Sequence, residues 1–355
     1  MSDLAELTPI RAERVIESLR NGTPPTGLVA HFTVGRKEEL LELEALLNPT
    51  SSNGGPGHLI KANYGSGKTH LLRVIQEKAL QANYIVANVT IDANNGMRFN
   101  RMDQILGRIY QSLESLNTEC KGIDVVFDDL ARISTPQKVA QIRPGIVQGY
   151  ARYWVGNYSW VNKDDIRNRL HNLSVVDRNY WSRDKYQASW MAIDNLDHLA
   201  KLAGHSGIVL LFDEFEDVFQ NLNNIQWQQA AFENFFKFFD SFHFGGLAFF
   251  AVTPEFIQKS KSLFRYRGDY GFSPDKFDEL PQFSMSPISE SNFNELALKI
   301  CNTHGLAYDW PAGEVAVSAG IEKQVHLAYS SKLRDQTRLT IESIVCWLDD
   351  LLQKQ

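Results

Sequence analysis

The stretch Ala62-Asn63-Tyr64-Gly65-Ser66-Gly67-Lys68-Thr69 decides the fold. It fits the phosphate-binding pattern GxxxxGK[ST], with alanine in the first glycine position. Alanine serves there as long as that residue keeps a negative φ. Gly65 and Gly67 let backbone N–H groups close on a phosphate, and the helix start that follows adds partial positive charge. Lys68 is placed to reach the terminal phosphates and Thr69 to give its hydroxyl to Mg²⁺. The flanks are the ones such a loop needs. His58–Ala62 is an apolar strand, Lys68–Ala82 an amphipathic helix, and Tyr84–Asp92 a second strand. Strand, loop, helix and strand open a parallel α/β sheet.

Two more buried strands follow, Gly207–Phe212 and Gly246–Val252. The first runs into Asp213 and Glu214. A buried parallel strand delivers such residues to the sheet rim, where ligands sit. Asp213 is placed to hold Mg²⁺ through its water shell, and Glu214 to orient or deprotonate an attacking water. Glu216 and Asp217, just beyond, suit a helix N-terminus. The other strand runs into Thr253 and Pro254, where a hydroxyl can meet a terminal phosphate or the water. Between these strands, about Gln226–Phe242, a helix carries Phe232, Phe235, Phe236, Phe238, Phe239 and Phe242. Helices on a parallel sheet bury one face, so this stripe reads as core rather than as a base-stacking platform.

The stretch from Asp92 to Gly207 is far longer than one crossover helix requires. Gly96–Leu116 supplies the crossover. The remainder is a mostly helical insertion with an aromatic run, Tyr150, Tyr153, Trp154, Tyr158 and Trp160, and two helices, Lys163–Leu173 and Tyr186–Ala203. Toward the N-terminus, Thr8 caps a helix over 8–21 with Pro9 in its first turn, and Glu38–Leu47 is a second helix. After Phe283 the pattern is all-helical: Ser289–His304, Pro311–Tyr329 and Leu339–Leu352. The segments are thus 1–57, an N-terminal helical part; 58–118 and 203–282, the sheet core; 119–202, the insertion; and 283–355, a helical lid.

Hydrophobic residues make up 43% of the 355 and charged residues 22%, a globular composition. The longest apolar runs are too short for a bilayer, and Met1–Glu6 lacks the basic start of a signal peptide. Three scattered cysteines, Cys120, Cys301 and Cys346, make neither a disulfide framework nor a zinc site, so the cytoplasm is the expected compartment. A net charge of −6 argues against a broad DNA-coating surface but not against a local basic one. One local candidate is 254–270, where Lys259, Lys261, Arg265 and Arg267 alternate with Phe264 and Tyr266. It reads as a solvated loop, as an arginine donor to a neighbouring subunit's nucleotide, or as a nucleic-acid contact. His70 follows Thr69 and reads as a packing or hydrogen-bonding residue beside the nucleotide.

Phe32-Thr33-Val34-Gly35-Arg36-Lys37-Glu38-Glu39-Leu40 resembles the segment preceding the P-loop in initiator-like and signalling AAA+ ATPases. The resemblance implies that Gly35 and Arg36 border the adenine and that Asn63, Tyr64, Ser66 and His70 belong to the nucleotide side. It makes residues 1–57 an adenine-side segment. Phe283–Ser289 resembles the entry to an AAA+ lid; Thr253 falls at the sensor-1 position, and Arg338, with Arg334 as competitor, at sensor 2. More narrowly, the stretch from Arg11 to Pro25 and Tyr64-Gly65-Ser66-Gly67-Lys68-Thr69-His70-Leu71-Leu72 resemble the ATP-binding proteins associated with BREX-type phage defence. The expected fold is α/β: a P-loop NTPase sheet with helices on both faces, a helical insertion and a helical lid. The expected function is ATP and Mg²⁺ binding with ATP hydrolysis, by an oligomeric switch or motor on DNA in anti-phage defence. An arginine, Arg265 or Arg267, would act across a subunit interface. Implied partners are further copies of the chain, DNA, and other defence proteins such as a helicase or nuclease, with no membrane. Two alternatives remain: a signalling switch acting through a protein partner, and a structural component that holds ATP without turnover.

Overall fold

The computed structural model of the chain describes residues 7–48, 57–91, 97–116, 120–172, 185–216, 222, 224–266, 271–285, 288–330 and 336–355. In chain order the elements are α1 (Pro9–Arg20), α2 (Lys37–Leu46), β1 (Gly57–Lys61), α3 (Lys68–Gln81), β2 (Ile85–Thr90), α4 (Met102–Ser112) and β3 (Leu113–Glu114). The insertion contributes α5 (Asp124–Ile133), α6 (Pro136–Val139), α7 (Ile146–Gly156), α8 (Lys163–His171) and α9 (Lys185–Leu202). Then come β4 (Ile208–Asp213), α10 (Ile225–Lys237), β5 (Leu247–Val252), α11 (Pro254–Tyr266) and β6 (Gln282–Ser284). The last four helices are α12 (Glu290–Tyr308), α13 (Ala312–Ser318), α14 (Ile321–Ser330) and α15 (Gln336–Leu352). Among the described residues no helix is long and apolar enough to cross a membrane.

Contacts divide the chain into two compact units. One gathers Met1–Leu43, Ala62–Glu77 and Ser284–Gln355; the other gathers Glu44–Lys61 and Lys78–Phe283.

The second unit holds a six-stranded sheet of order β3-β2-β4-β5-β1-β6. Its four central strands are parallel. Thr90 lies opposite Asp213, and Lys61 opposite Val252, so the C-terminal ends of β2 and β4, and of β1 and β5, are aligned in pairs by ladder register. The first five residues of β4, Ile208–Phe212, are buried, and only Asp213 at its end emerges. A strand covered on both faces reads as an unbroken apolar run, which is how the sequence betrayed it. β1 and β2 are consecutive in the chain, yet β4 and β5 lie between them.

Phenylalanines fill the space on the sheet. Phe212 stacks on Phe250 at 4.5 Å, and Phe235 lies 5.0 Å from Phe250 and 4.9 Å from Phe215. The phenylalanine stripe of α10 is therefore core, with one correction. The helix stops at Lys237, and Phe242, beyond it, is exposed. The crossover helix is also shorter than expected, because Leu113 and Glu114 leave α4 to pair antiparallel with β2. Among the described residues of the insertion five helices stand where two were expected. Periodicity over Asp124–Ile133, with Val125, Val126, Phe127 and Leu130 buried, supplied the signal.

The first unit is helical. Thr8 caps α1, accepting from the Arg11 N–H at 3.4 Å, and Pro9 occupies the first turn. Ala12, Val15, Ile16 and Leu19 face a core built with Phe293, Ile300, Ile344 and Leu348. Inside it sits a polar chain. The Trp310 indole donates to His304 Nδ1 at 2.9 Å, and His304 Nε2 lies 3.0 Å from Asp349. Arg20 closes the chain on Asp349 at 2.9 Å. The expected single helix Pro311–Tyr329 is two helices, α13 and α14, broken at Gly320 with φ 83°.

Candidate functional site

The glycine-rich segment starts at the residue after β1. Gly65 and Gly67 have φ of 74° and 90°, while Ala62 is buried and not among the positive-φ residues. Alanine at the first position is thus compatible, and the two glycines sit where a side chain would be strained. The turn is held by the Ser66 N–H donating to the Asn63 carbonyl at 3.3 Å. The ammonium of Lys68 lies over the same turn, 3.3 Å from the Ala62 carbonyl and 3.5 Å from that of Asn63. The Tyr64 ring is exposed, with Lys68 Nζ 5.9 Å from its centroid. Thr69, exposed, stands in the first turn of α3. Backbone turned at two glycines, a helix starting at Lys68 and a lysine folded over the turn are the features that suit a bound phosphate chain.

Arg36 braces this segment. Its guanidinium is buried, pairs with Glu39 at 3.1 Å and donates to the Ser66 carbonyl at 3.3 Å. Two further contacts come from α3. Glu77 accepts from the N–H groups of Val29 and Ala30 at 3.0 and 3.1 Å. The Thr33 hydroxyl lies 2.9 Å from His70 Nε2 and donates to the Val29 carbonyl at 2.9 Å. Its one proton being committed, Thr33 accepts from His70, which fixes the proton of the imidazole on Nε2. Burial, and behind it the Arg36 charge, pushes His70 down to about 4, so it is neutral. Gly35, at φ 63°, faces the start of α12: a Cβ there would sit 2.6 Å from Asn292 Oδ1. Asn292 and Ser289 form the reciprocal capping box that begins that helix. Glu39 and Glu77 were invisible as functional residues in the sequence, because both act through space from ordinary helical positions.

At the sheet rim, Asp213 ends β4 and its Oδ1 accepts from the Glu214 N–H at 3.0 Å. Glu214 has φ 54°, left-handed backbone on a residue with a side chain. Phe215, next in line, is buried in the core. Thr253, following β5, accepts from the Phe256 N–H at 3.2 Å and so caps α11, its hydroxyl proton remaining to donate.

Segment 254–266 is helix α11, not the loop expected. Phe256, Ile257, Ser260 and Phe264 form its buried face. Lys259 pairs with Glu255 at 2.7 Å and Lys261 with Asp278 at 2.5 Å, while Arg265 and Tyr266 are exposed in the last turn. The basic–aromatic alternation thus resolves into a core phenylalanine, two paired lysines and one exposed arginine. Arg338, on α15, pairs with Glu342 at 2.9 Å and donates to the Asn21 carbonyl at 3.2 Å, closing the end of α1. Arg267, Arg334 and Asp217 lie outside the described residues.

Comparison with known proteins adds one finding. The family model for the BREX system ATP-binding protein BrxC/D matches residues 7–129 and 186–354. No curated protein and no solved structure matches the chain. The matched ranges take in the glycine-rich segment, Arg36, the acids after β4, Thr253 and the C-terminal helices, and leave out the middle of the insertion, residues 130–185. The chain belongs to the family of BREX system ATP-binding proteins BrxC/D.

Proposed function

We propose that this chain binds ATP with Mg²⁺ and hydrolyses it, as an oligomeric AAA+ switch or motor acting on DNA in anti-phage defence. One observation carries the ATPase reading. β1, β4 and β5 are parallel neighbours, and the glycine-rich segment, Asp213–Glu214 and Thr253 each follow the C-terminal end of one of them. Ligands of open α/β sheets sit outside such strand ends.

In this reading the backbone N–H groups of Gly65–Lys68 bind the phosphate chain, and Lys68 neutralises its terminal charge. Thr69 and Asp213 hold Mg²⁺. Glu214 orients the water and accepts its proton; Thr253 donates its remaining hydroxyl proton to a phosphate oxygen or the water. Arg36, locked to Glu39 and Ser66, keeps the turn in shape. Residues 283–355 act as the lid and 1–57 as the adenine side, with Arg338 or Arg334 as the lid's arginine. Arg265, or Arg267, is the arginine offered to a neighbouring subunit, a task lysine performs poorly because it lacks the planar fork. The DNA and defence parts draw on the family's BREX membership and on resemblance, and with them come other BREX components as partners.

Titration of a fluorescent ATP analogue tests the reading. Lys68→Ala is expected to abolish measurable binding, whereas Arg265→Ala keeps it. Unchanged affinity in Lys68→Ala would remove the phosphate-binding assignment.

A further inference from the structure

We infer that the turn between α7 and α8 is a stacking platform for single-stranded nucleic acid, in the part of the insertion that the family model leaves out. The inference deepens the DNA part of the proposed function and rests on it.

The five aromatic residues of this run separate into two sets. Trp154 is 1% exposed, donates its indole N–H to Asp128 at 2.8 Å and packs on Phe127 at 5.4 Å, so it belongs to the core. Tyr150 packs against that core as well. The other three face outward: Trp160 is 68% exposed, Tyr158 42% and Tyr153 41%. They are not scattered. The Tyr158 and Trp160 rings are parallel to within 10° at 5.5 Å, and Tyr153 meets Trp160 edge-on at 5.3 Å.

Local backbone builds the cluster. α7 stops at Gly156, and Asn157, at φ 45°, turns the chain back. A Cβ on Gly156 would sit 2.3 Å from the Tyr158 ring, so only glycine lets that ring fold over the helix end. The Val161 N–H closes the turn on the Tyr158 carbonyl at 2.9 Å, and Asn162 caps α8. Three large rings are thereby held out in water by a defined turn, at a hydration cost that a core would have avoided.

Charge selects the occupant. Residues 134–172 carry six basic side chains, Lys138, Arg143, Arg152, Lys163, Arg167 and Arg169, against two acidic ones, Asp164 and Asp165, in a chain of net charge −6. Both acids are paired, Asp164 with Arg167 and Asp165 with Arg169, and from α5 Asp128 pairs with Lys163 and Asp124 with Arg167. Lys138, Arg143 and Arg152 are exposed, and among the described residues the salt bridges involve none of them. Exposed rings, with the exposed Arg152 adjoining Tyr153 on α7 and further cations in the same stretch of chain, match the two demands of a single strand, faces for bases and cations for phosphates. A duplex keeps its bases stacked inside and would leave the ring faces unused.

Fluorescence anisotropy of a labelled oligothymidylate of about 16 nucleotides, with the full chain at low salt, tests this. The wild type is expected to bind, and more weakly as salt is raised. Trp160→Ala should weaken binding about tenfold or more, with Trp160→Phe restoring most of it. Circular dichroism melts of both variants check that the exposed position leaves the fold intact. Lys68→Ala, deficient in ATP binding, should keep the oligonucleotide, which separates this inference from the ATPase reading. No binding by the wild type overturns it. So does equal affinity of wild type and Trp160→Ala, which hands the rings to a protein partner, and so does a preference for duplex untouched by Trp160→Ala, which leaves DNA binding elsewhere on the chain.

Discussion

Glu214 is the residue whose backbone and chemistry pull in opposite directions. Its φ of 54° costs a side-chain-bearing residue about 1–2 kcal/mol. The neighbours hold it there: its N–H is committed to Asp213 and Phe215 is anchored in the core. Such strain is retained where an exact side-chain position is useful. Glu214→Gly is therefore expected to be more stable than Glu214→Ala by about 1 kcal/mol in denaturant unfolding, since only glycine is at ease at this φ. If the alanine variant is equally stable, the left-handed backbone is not a property of the folded chain. The sequence pointed to Asp213 and Glu214 because an apolar run ending in two acids is a local pattern. It carried no sign of the left-handed turn, which usually announces itself through Gly or Asn. The same limit hid the Arg36–Glu39 pair. Gly35-Arg36 is legible as a motif, but the Ser66 carbonyl it braces lies thirty positions along the chain.

Elements were readable in proportion to length and burial. The four central strands are mostly buried runs of five or six residues, whereas β3 and β6, with two and three, fall below any pattern. Helix α11 is hard to read from the sequence although its start is signed: Thr253-Pro254 repeats the cap-and-proline signature of Thr8-Pro9. The alternating charges mask the apolar face formed by Phe256, Ile257, Ser260 and Phe264. Within the sheet, β1 carries a histidine that the ATP chemistry does not use. His58 is buried, stacked at 5.4 Å on Phe249, with Nδ1 lacking a hydrogen-bond partner among the described residues. Burial pushes it down to about 4, below the usual value near 6.5. Above pH 6.5 it is neutral folded or unfolded and changes nothing. As pH falls below 6.5 the unfolded chain takes the proton first, and stability is lost until about pH 4. By pH 5 that loss is about 2 kcal/mol. His58→Phe should remove it, so unfolding measured at pH 7 and pH 5 is expected to drop less in the variant. Equal drops would mean that His58 ionises in the fold as it does in water.

For the whole molecule, the two units divide the proposed chemistry. The glycine-rich segment, Arg36 and the C-terminal helices lie in one; Asp213, Glu214, Thr253 and the basic aromatic turn lie in the other. The backbone passes between them at Lys61–Ala62, where strand becomes glycine-rich turn. Lys68 and Glu214 thus probe separate parts of the fold for one activity. The measurement that tests the central claim most directly is phosphate release from ATP, with and without Mg²⁺, by wild type, Lys68→Ala and Glu214→Gln. Mg²⁺-dependent release is expected from the wild type and none above background from Lys68→Ala. Glu214→Gln should retain ATP while its turnover falls by about 10²–10⁴-fold. A wild type that binds ATP without releasing phosphate, or a Glu214→Gln protein that releases it at the wild-type rate, would contradict the account.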